Sequence, residues 1–483
     1  MKKSVFQKLV IWIFAIWSMF LVVLNLLGIA DRLSKPLLSW VIGLSLFAGS
    51  VLFCLLGSFL LFKIKRKWVQ AILIFMLAFG IRIGAWFLFS PEQFSDYKTF
   101  FRAASFLYEG DLAFLSGHYW QTWSYQLGFP WLMAKLCGLF GTMSVTLCVL
   151  IGSVASAACS VLVFLIVDRF ASGKPALAAG LFWCVMLFSV NLSLLVTNQN
   201  LSMLFLLLAL LILSGYEADW RRAVFVGLLL TAANFIRTDV VIYPAAILVG
   251  GVLSLRRKEK RLSDGHNRVF FCALLCTVIY FAAGKVLDLA FTTLNPAGLG
   301  NHFPLYKFAV GLNQESFGEY SQVLDAALFS DPACIADPAY RDTLTKELIG
   351  QELSAGVVPL VRLMLHKCRS LWCGAGYSFD LLHSALESGS LNIGPFSLYP
   401  SFFNYGLQIC EVLQRTVLLA AGAAAALQER KKPDGSARIT WMLAVLAFSA
   451  VSLVIEVQYR YSFIVMPVYC FLLAEAGRKE KII

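Results

Sequence analysis

The sequence predicts an all-α polytopic membrane protein, a bundle of about 12 transmembrane helices with two long extracytoplasmic segments that contain amphipathic helices. Three observations predict it. Of 483 residues, 59% are hydrophobic and 14% charged, whereas a soluble globular chain carries about 25% charged residues. Apolar runs of about 20 residues, the length that crosses the hydrocarbon core, recur along the whole chain. Lysine and arginine gather in every second connection between those runs, as cytoplasmic loops require. The mean hydropathy of +0.76 agrees. A net charge of +12 would suit nucleic acid, but the basic residues form short clusters between apolar runs, so no nucleic-acid partner is expected.

The runs fall at 9–29, 37–62, 69–90, 143–167, 175–196, 199–215, 222–236, 238–254, 268–290, 402–427, 439–457 and 461–477. The first lacks a small-residue cleavage site after its apolar stretch and reads as a retained span. Basic clusters stand at Lys2/Lys3/Lys8, Lys63 to Lys67, Arg169/Lys174, Arg221/Arg222, Arg256 to Arg261, Arg430 to Lys432 and Arg478 to Lys481. Both termini are therefore expected in the cytoplasm and the chain in the plasma membrane. Segments 91–142 and 291–401 then lie outside, too long to be turns. In the first, FSDYKTFFRAASFLYEGD reads as an amphipathic helix and YQLGFPWLMAKLCGLFG (125–141) as a stretch along or into the membrane surface. The second holds a helical stretch, 340–372, ending in HKCRSLWCGAGY, an aromatic and basic run suited to the headgroup level. Twelve cysteines without a CxxC pair read as small buried residues.

Chemistry is expected in the outer segments. Asp96 stands just past the third span, where a carboxylate meets both water and lipid headgroups and can take a proton from a hydroxyl; it could equally cap the helix that follows. Arg460, between Tyr459 and Tyr461 in EVQYRYSF, is placed to fork onto phosphate oxygens, or to anchor the chain at the interface. Arg237, in NFIRTDVV, lies on the side where topology asks for no cation, so its mate is a phosphate or Asp239. Lys98 and Arg102, four residues apart, suit a lipid phosphate or any anionic headgroup. Arg82 lies within the third span and either snorkels or points at the same site. Tyr97, His118, Tyr119 and Tyr125 are candidate pocket residues, as is Asn313 in GLNQES, whose polar groups could grip sugar hydroxyls or make an ordinary turn. No ligand cluster fixes a metal, and a divalent cation is left only as an assistant to the arginines.

In order, IRIGAWFLFSPEQFSDYKTFFRAASFLYEGD, YQLGFPWLMAKLCGLFG, GLLLTAANFIRTDVVIYPAAIL and EVQYRYSFIVMPVYCFLLAEAG resemble the landmarks of GT-C glycosyltransferases. The closest branch is the protein-O-mannosyltransferase-like one, similar to glycosyltransferase family 39. The resemblance runs from about residue 69 onward and rests on order and spacing more than on any one motif. It implies a GT-C-like bundle, a polyprenyl-phosphate sugar donor, a surface acceptor (glycan, lipid or protein), inverting transfer on the outer face, and a catalytic aspartate that falls on Asp96. It implies phosphate recognition by Arg460, Tyr461 and Arg237. Two features depart from it: Tyr97 stands where many relatives carry a second acid, and the Tyr-Pro-Pro type run is reduced to LGFP. On this reading 1–67 is a pair of additional N-terminal helices, 68–290 the core, 291–401 the outer segment and 402–483 the C-terminal helices. A transporter or flippase of lipid-linked sugars is the rival from another class, and a surface-polysaccharide ligase or polymerase the rival within the same architecture.

Overall fold

The computed structural model describes residues 4–215, 218–255, 263–373, 391–393, 396–398, 400–430 and 436–476. Its helices are α1 (Val5–Ala30), α2 (Leu37–Phe62), α3 (Lys67–Phe89), α4 (Ser95–Glu109), α5 (His118–Thr122), α6 (Gly128–Gly138), α7 (Val145–Asp168), α8 (Lys174–Val185), α9 (Leu187–Ser193), α10 (Asn198–Leu213), α11 (Trp220–Ile236), α12 (Ile242–Leu255) and α13 (Ser263–Phe291). They continue with α14 (Pro304–Leu312), α15 (Gln322–Phe329), α16 (Pro332–Ala336), α17 (Pro338–Ser354), α18 (Val357–Cys373), α19 (Pro400–Glu429), α20 (Ser436–Val454) and α21 (Met466–Ala476). The described strands form one hairpin, β1 (Leu391–Ile393) with β2 (Phe396–Leu398). Among the described residues seven helices are long and apolar enough to cross a membrane, nine if each of two bent pairs counts as one span. Each of the twelve apolar runs coincides with a helix or a bent or kinked pair, which makes the chain an all-α polytopic membrane protein.

The bundle is built around α19, which lies against α1, α2 and α21. Close approach there depends on missing side chains: a Cβ on Gly43 would stand 2.8 Å from the Gly406 carbonyl, and one on Gly406 2.6 Å from Ile42. Small residues let helices meet where lipid supplies no hydrophobic drive. The outward faces of α1–α3 present Leu9, Ile16, Leu37, Leu60 and Phe87 to the surroundings, as lipid-facing helices do.

Ion pairs and hydrogen bonds mark two opposite faces. On one, Lys67 meets Asp168 at 2.5 Å, Arg169 donates to Ser214 at 3.1 Å, and Arg438 pairs with Glu429. On the other, Asp31 pairs with Arg369, Ser124 Oγ donates to the Gly300 carbonyl at 2.7 Å, and Lys307 pairs with Glu456.

The run 175–196, expected as one span, is two helices meeting at 48°. Gln414 of α19 repairs the break: its Oε1 accepts from Leu187 N at 2.9 Å and its Nε2 donates to the Val185 carbonyl at 3.0 Å. Orphaned backbone groups inside a bundle must find such partners. The stretch 340–372 is likewise two helices, α17 and α18, bent by 103° around Gly356, whose φ is +98°. Its aromatic and basic end turns into the protein at Lys367 and Trp372. Lys367 and Trp372 are almost wholly buried. The lysine donates to the carbonyls of Gly311, Leu453 and Ile455 at 2.6–2.8 Å, and the indole packs edgewise on Phe448 and Tyr469. Residues 374–377 of that run lie outside the described residues.

Candidate active site

Asp96 is presented by a strained entry into α4. The chain leaves α3 through Ser90 at φ 34° and enters α4 through Ser95 at φ 47°, left-handed values that cost a non-glycine residue about 1 kcal/mol or more and gather at functional sites. Gln93 fastens the intervening segment by accepting from Val196 N at 2.7 Å. Tyr97, fully buried, packs with Leu194 and Leu195 and turns Asp96 the other way. The carboxylate thus sits in the first turn of α4, where the helix dipole favours it. Arg460 Nη2 donates to its Oδ2, and the Tyr119 hydroxyl to its Oδ1 at 3.2 Å. Burial pushes the carboxyl upward, but the Arg460 charge and hydrogen bond, with Tyr119 and Lys307 behind, leave it below its ordinary 3.8. It is therefore ionised at neutral pH.

Arg460 belongs to the 3₁₀ turn Tyr459–Val465. Gln199 Nε2 donates to its carbonyl at 3.1 Å, and its guanidinium lies 5.1 Å from the Tyr97 ring centroid. One residue on, Tyr461 carries the guanidinium of Arg237 over its ring at 5.1 Å and donates to Glu456 at 3.3 Å. Arg237 forks between Asp239 (2.6 Å) and Asn198 (3.2 Å). The LGFP segment helps to set the α11 end that carries it. Gly128 lies so close to Phe235 that a Cβ would fall 2.0 Å from the Phe235 carbonyl oxygen.

Two charged members of the cluster escape sequence reading. Lys307 of α14 pairs with Glu456, 149 residues away, and lies 4.5 Å from the Trp123 ring centroid. Gln458 adds a bond to Glu456 at 3.0 Å. Burial works against the charge on Lys307, but the Glu456 carboxylate outweighs it and holds the ammonium well above its ordinary range. Backbone bonds from Glu456 N to Lys307 O (2.8 Å) and Val457 N to Gly318 O (2.9 Å) join the outer segment to the Arg460 turn. The available signal was Glu456 itself, an acid at the head of EVQYRYSF, and the run TNQN (197–200), polar residues between apolar helices that all prove buried.

Of the candidate residues, the structure brings together Asp96, Tyr97, Tyr119, Arg237, Arg460 and Tyr461, and places Tyr125 within electrostatic reach of Lys307, Glu456, Asp239 and Asp96. Others stand apart. Lys98 and Arg102 are exposed, and among the described residues no hydrogen bond or ion pair joins them to the cluster. His118 packs at a tilt on Phe329 and lies 3.9 Å from Asp325. Asn313 closes its own turn with Ser316 N and donates to Glu352 at 3.1 Å. Tyr459 faces Phe188 and Arg415 on the far side of its turn. Arg82 is satisfied inside the bundle by Ser156, Ser189 and two carbonyls. No group of three or more potential metal ligands occurs among the described residues.

A carboxylate gripped by arginine, with a second arginine and a charged lysine nearby, thus gathers at one end of a helical bundle. Residues 126–283 match the family model described as dolichyl-phosphate-mannose-protein mannosyltransferase. This match supports the resemblance to the GT-C, protein-O-mannosyltransferase-like enzymes and, with the polytopic fold, a membrane glycosyltransferase. It covers about a third of the chain and includes Arg237, with Asp96, Lys307 and Arg460 outside it. No curated protein matches the chain in sequence.

Proposed function

We propose that this protein transfers a sugar from a polyprenyl-phosphate donor to a hydroxyl of a surface acceptor, on the extracytoplasmic face and with inversion. The observation that carries the proposal is the Asp96–Arg460 pair, with Tyr119 on the carboxylate and Arg237 over the ring of Tyr461, the next residue of the Arg460 turn. In the reaction the acceptor proton passes to Asp96, the acceptor oxygen bonds to the anomeric carbon, and the bond from that carbon to the phosphate oxygen breaks. The phosphate departs with the electron pair. It is a stable anion, so no second acid has to protonate it, in contrast to glycoside hydrolysis. A guanidinium carries five donors, so Arg460 can hold the carboxylate and a phosphate oxygen at once. Arg237 supplies further positive charge, and Lys307 extends the field.

Asp96→Asn keeps the shape and removes the base. Purified variant incubated with labelled polyprenyl-phosphate sugar and acceptor is expected to lose transfer by about 100-fold or more, the low end of general-base effects, with donor binding nearly intact. Full activity in the variant removes Asp96 from the mechanism.

A further inference from the structure

A second cationic pocket lies away from Asp96, where the α1–α2 connection meets α18 and α19. It is a cavity of about 370 Å³ lined by Gly28, Asp31, Arg32, Lys35, Arg369 and Tyr405, among others. Its lining holds three cations against one carboxylate, and Arg369 already engages that carboxylate. Arg32 is half-buried. Its Nη1 donates to the Gly28 carbonyl at 2.6 Å, while its Nε is buried without a hydrogen-bond partner among the described residues. Lys35 caps the pocket from 4.3 Å above the Tyr405 ring. Three cations against one carboxylate leave the lining with net positive charge, which an oxyanion would balance.

The surroundings say what carries that oxyanion. The pocket opens at the end of two helices whose sides are apolar, and Leu33 and Leu37 beside it are 69% and 78% exposed. Exposed leucines next to a cation cluster suit a ligand with acyl chains below its phosphate. The cations also stand on the Asp96 face, away from the basic clusters of the opposite connections, so membrane insertion does not account for them.

We infer that the pocket of Arg32, Lys35, Arg369 and Tyr405 binds the phosphate of an anionic glycerophospholipid, a site separate from the one around Asp96.

The test is native mass spectrometry of the full chain released from nanodiscs that mix phosphatidylglycerol and phosphatidylcholine. Wild type is expected to retain one phosphatidylglycerol, and Lys35→Glu and Arg369→Gln to retain it at least about fivefold less, the worth of one basic residue near an anionic surface. Lys35→Gln, at a half-exposed position, repeats the measurement should the reversal broaden the size-exclusion peak. Equal retention of the two lipids, or unchanged retention in the variants, overturns the site. Replacement of the lipid by bound inorganic phosphate, added in excess, assigns the pocket to the free ion and overturns the lipid.

Discussion

Arg460 serves two anions, and that double duty is testable at the single residue. In the resting protein its Nη2 engages Asp96; in the proposed reaction the same fork also holds the departing phosphate. Arg460→Ala removes charge-assisted bonds worth about 1.5–3 kcal/mol, so donor KM is expected to rise roughly 10- to 100-fold. Arg460→Lys keeps the charge but loses the fork, and its KM should fall between the two. Equal losses in both variants would point to a folding defect instead. The pH profile follows from the same contact. Asp96 sits below its ordinary 3.8 because Arg460 outweighs burial. A depressed carboxylate contributes stability and activity that are full above its ordinary value and fail only as pH falls through the lower folded one. Wild-type kcat/KM is therefore expected to show no acid limb from Asp96 above about pH 5. In Arg460→Gln burial acts without its counterweight, and the limb should move upward. An unshifted limb would separate Asp96 from the pH dependence. Asp96, Arg237 and Arg460 were legible because each broke a local expectation, an acid or cation where topology asks for none. Lys307 was not, since it looks ordinary until the fold brings it to Glu456 across 149 residues, and Glu456 showed only as an acid at the head of EVQYRYSF.

At the scale of elements, the sequence revealed helices by apolar length and hid what happens between them. Residues 175–196 contain Pro175 and Gly180 near one end but neither residue at Met186, where the helix breaks. The cause lies in α19, where Gln414 offers one acceptor and one donor to the opened backbone. Apolar periodicity carries no trace of a partner 227 residues distant. Gln414→Leu leaves Leu187 N and Val185 O unpaired in the core, a loss of about 1–3 kcal/mol for each group that finds no substitute. The variant's thermal midpoint in detergent should drop by several degrees; an unchanged midpoint would mean that α8 and α9 rejoin or that water fills the gap. The bend between α17 and α18 was hidden for a related reason. Gly356 permits the turn with φ +98°, and the three carbonyls around Lys367, with the buried Trp372, hold α18 in the bundle.

For the molecule as a whole, α1 and α2 are parts of the bundle. Phe14 stacks on Tyr469 at 5.7 Å, Asn25 reaches the Trp372 carbonyl, and α19 lies against both helices. The active-site turn hangs on the same frame, because Lys367 ties α18 to the residues just before Glu456. The same frame separates two ends of the bundle. Lys63 to Lys67 and Arg169 lie on one face with Asp168 and Ser214 as partners, while Asp96 and Lys98 lie near the other. Short basic connections are held in the cytoplasm during insertion, and the proposed reaction requires the complementary placement, Asp96 outside within reach of a surface acceptor. Most native thiols are buried, so single engineered cysteines should stand out against little background. Lys98→Cys is expected to react with a membrane-impermeant maleimide in intact cells, and Arg66→Cys only after permeabilisation. The reverse pattern would put the carboxylate in the cytosol and remove the surface acceptor from the proposed reaction.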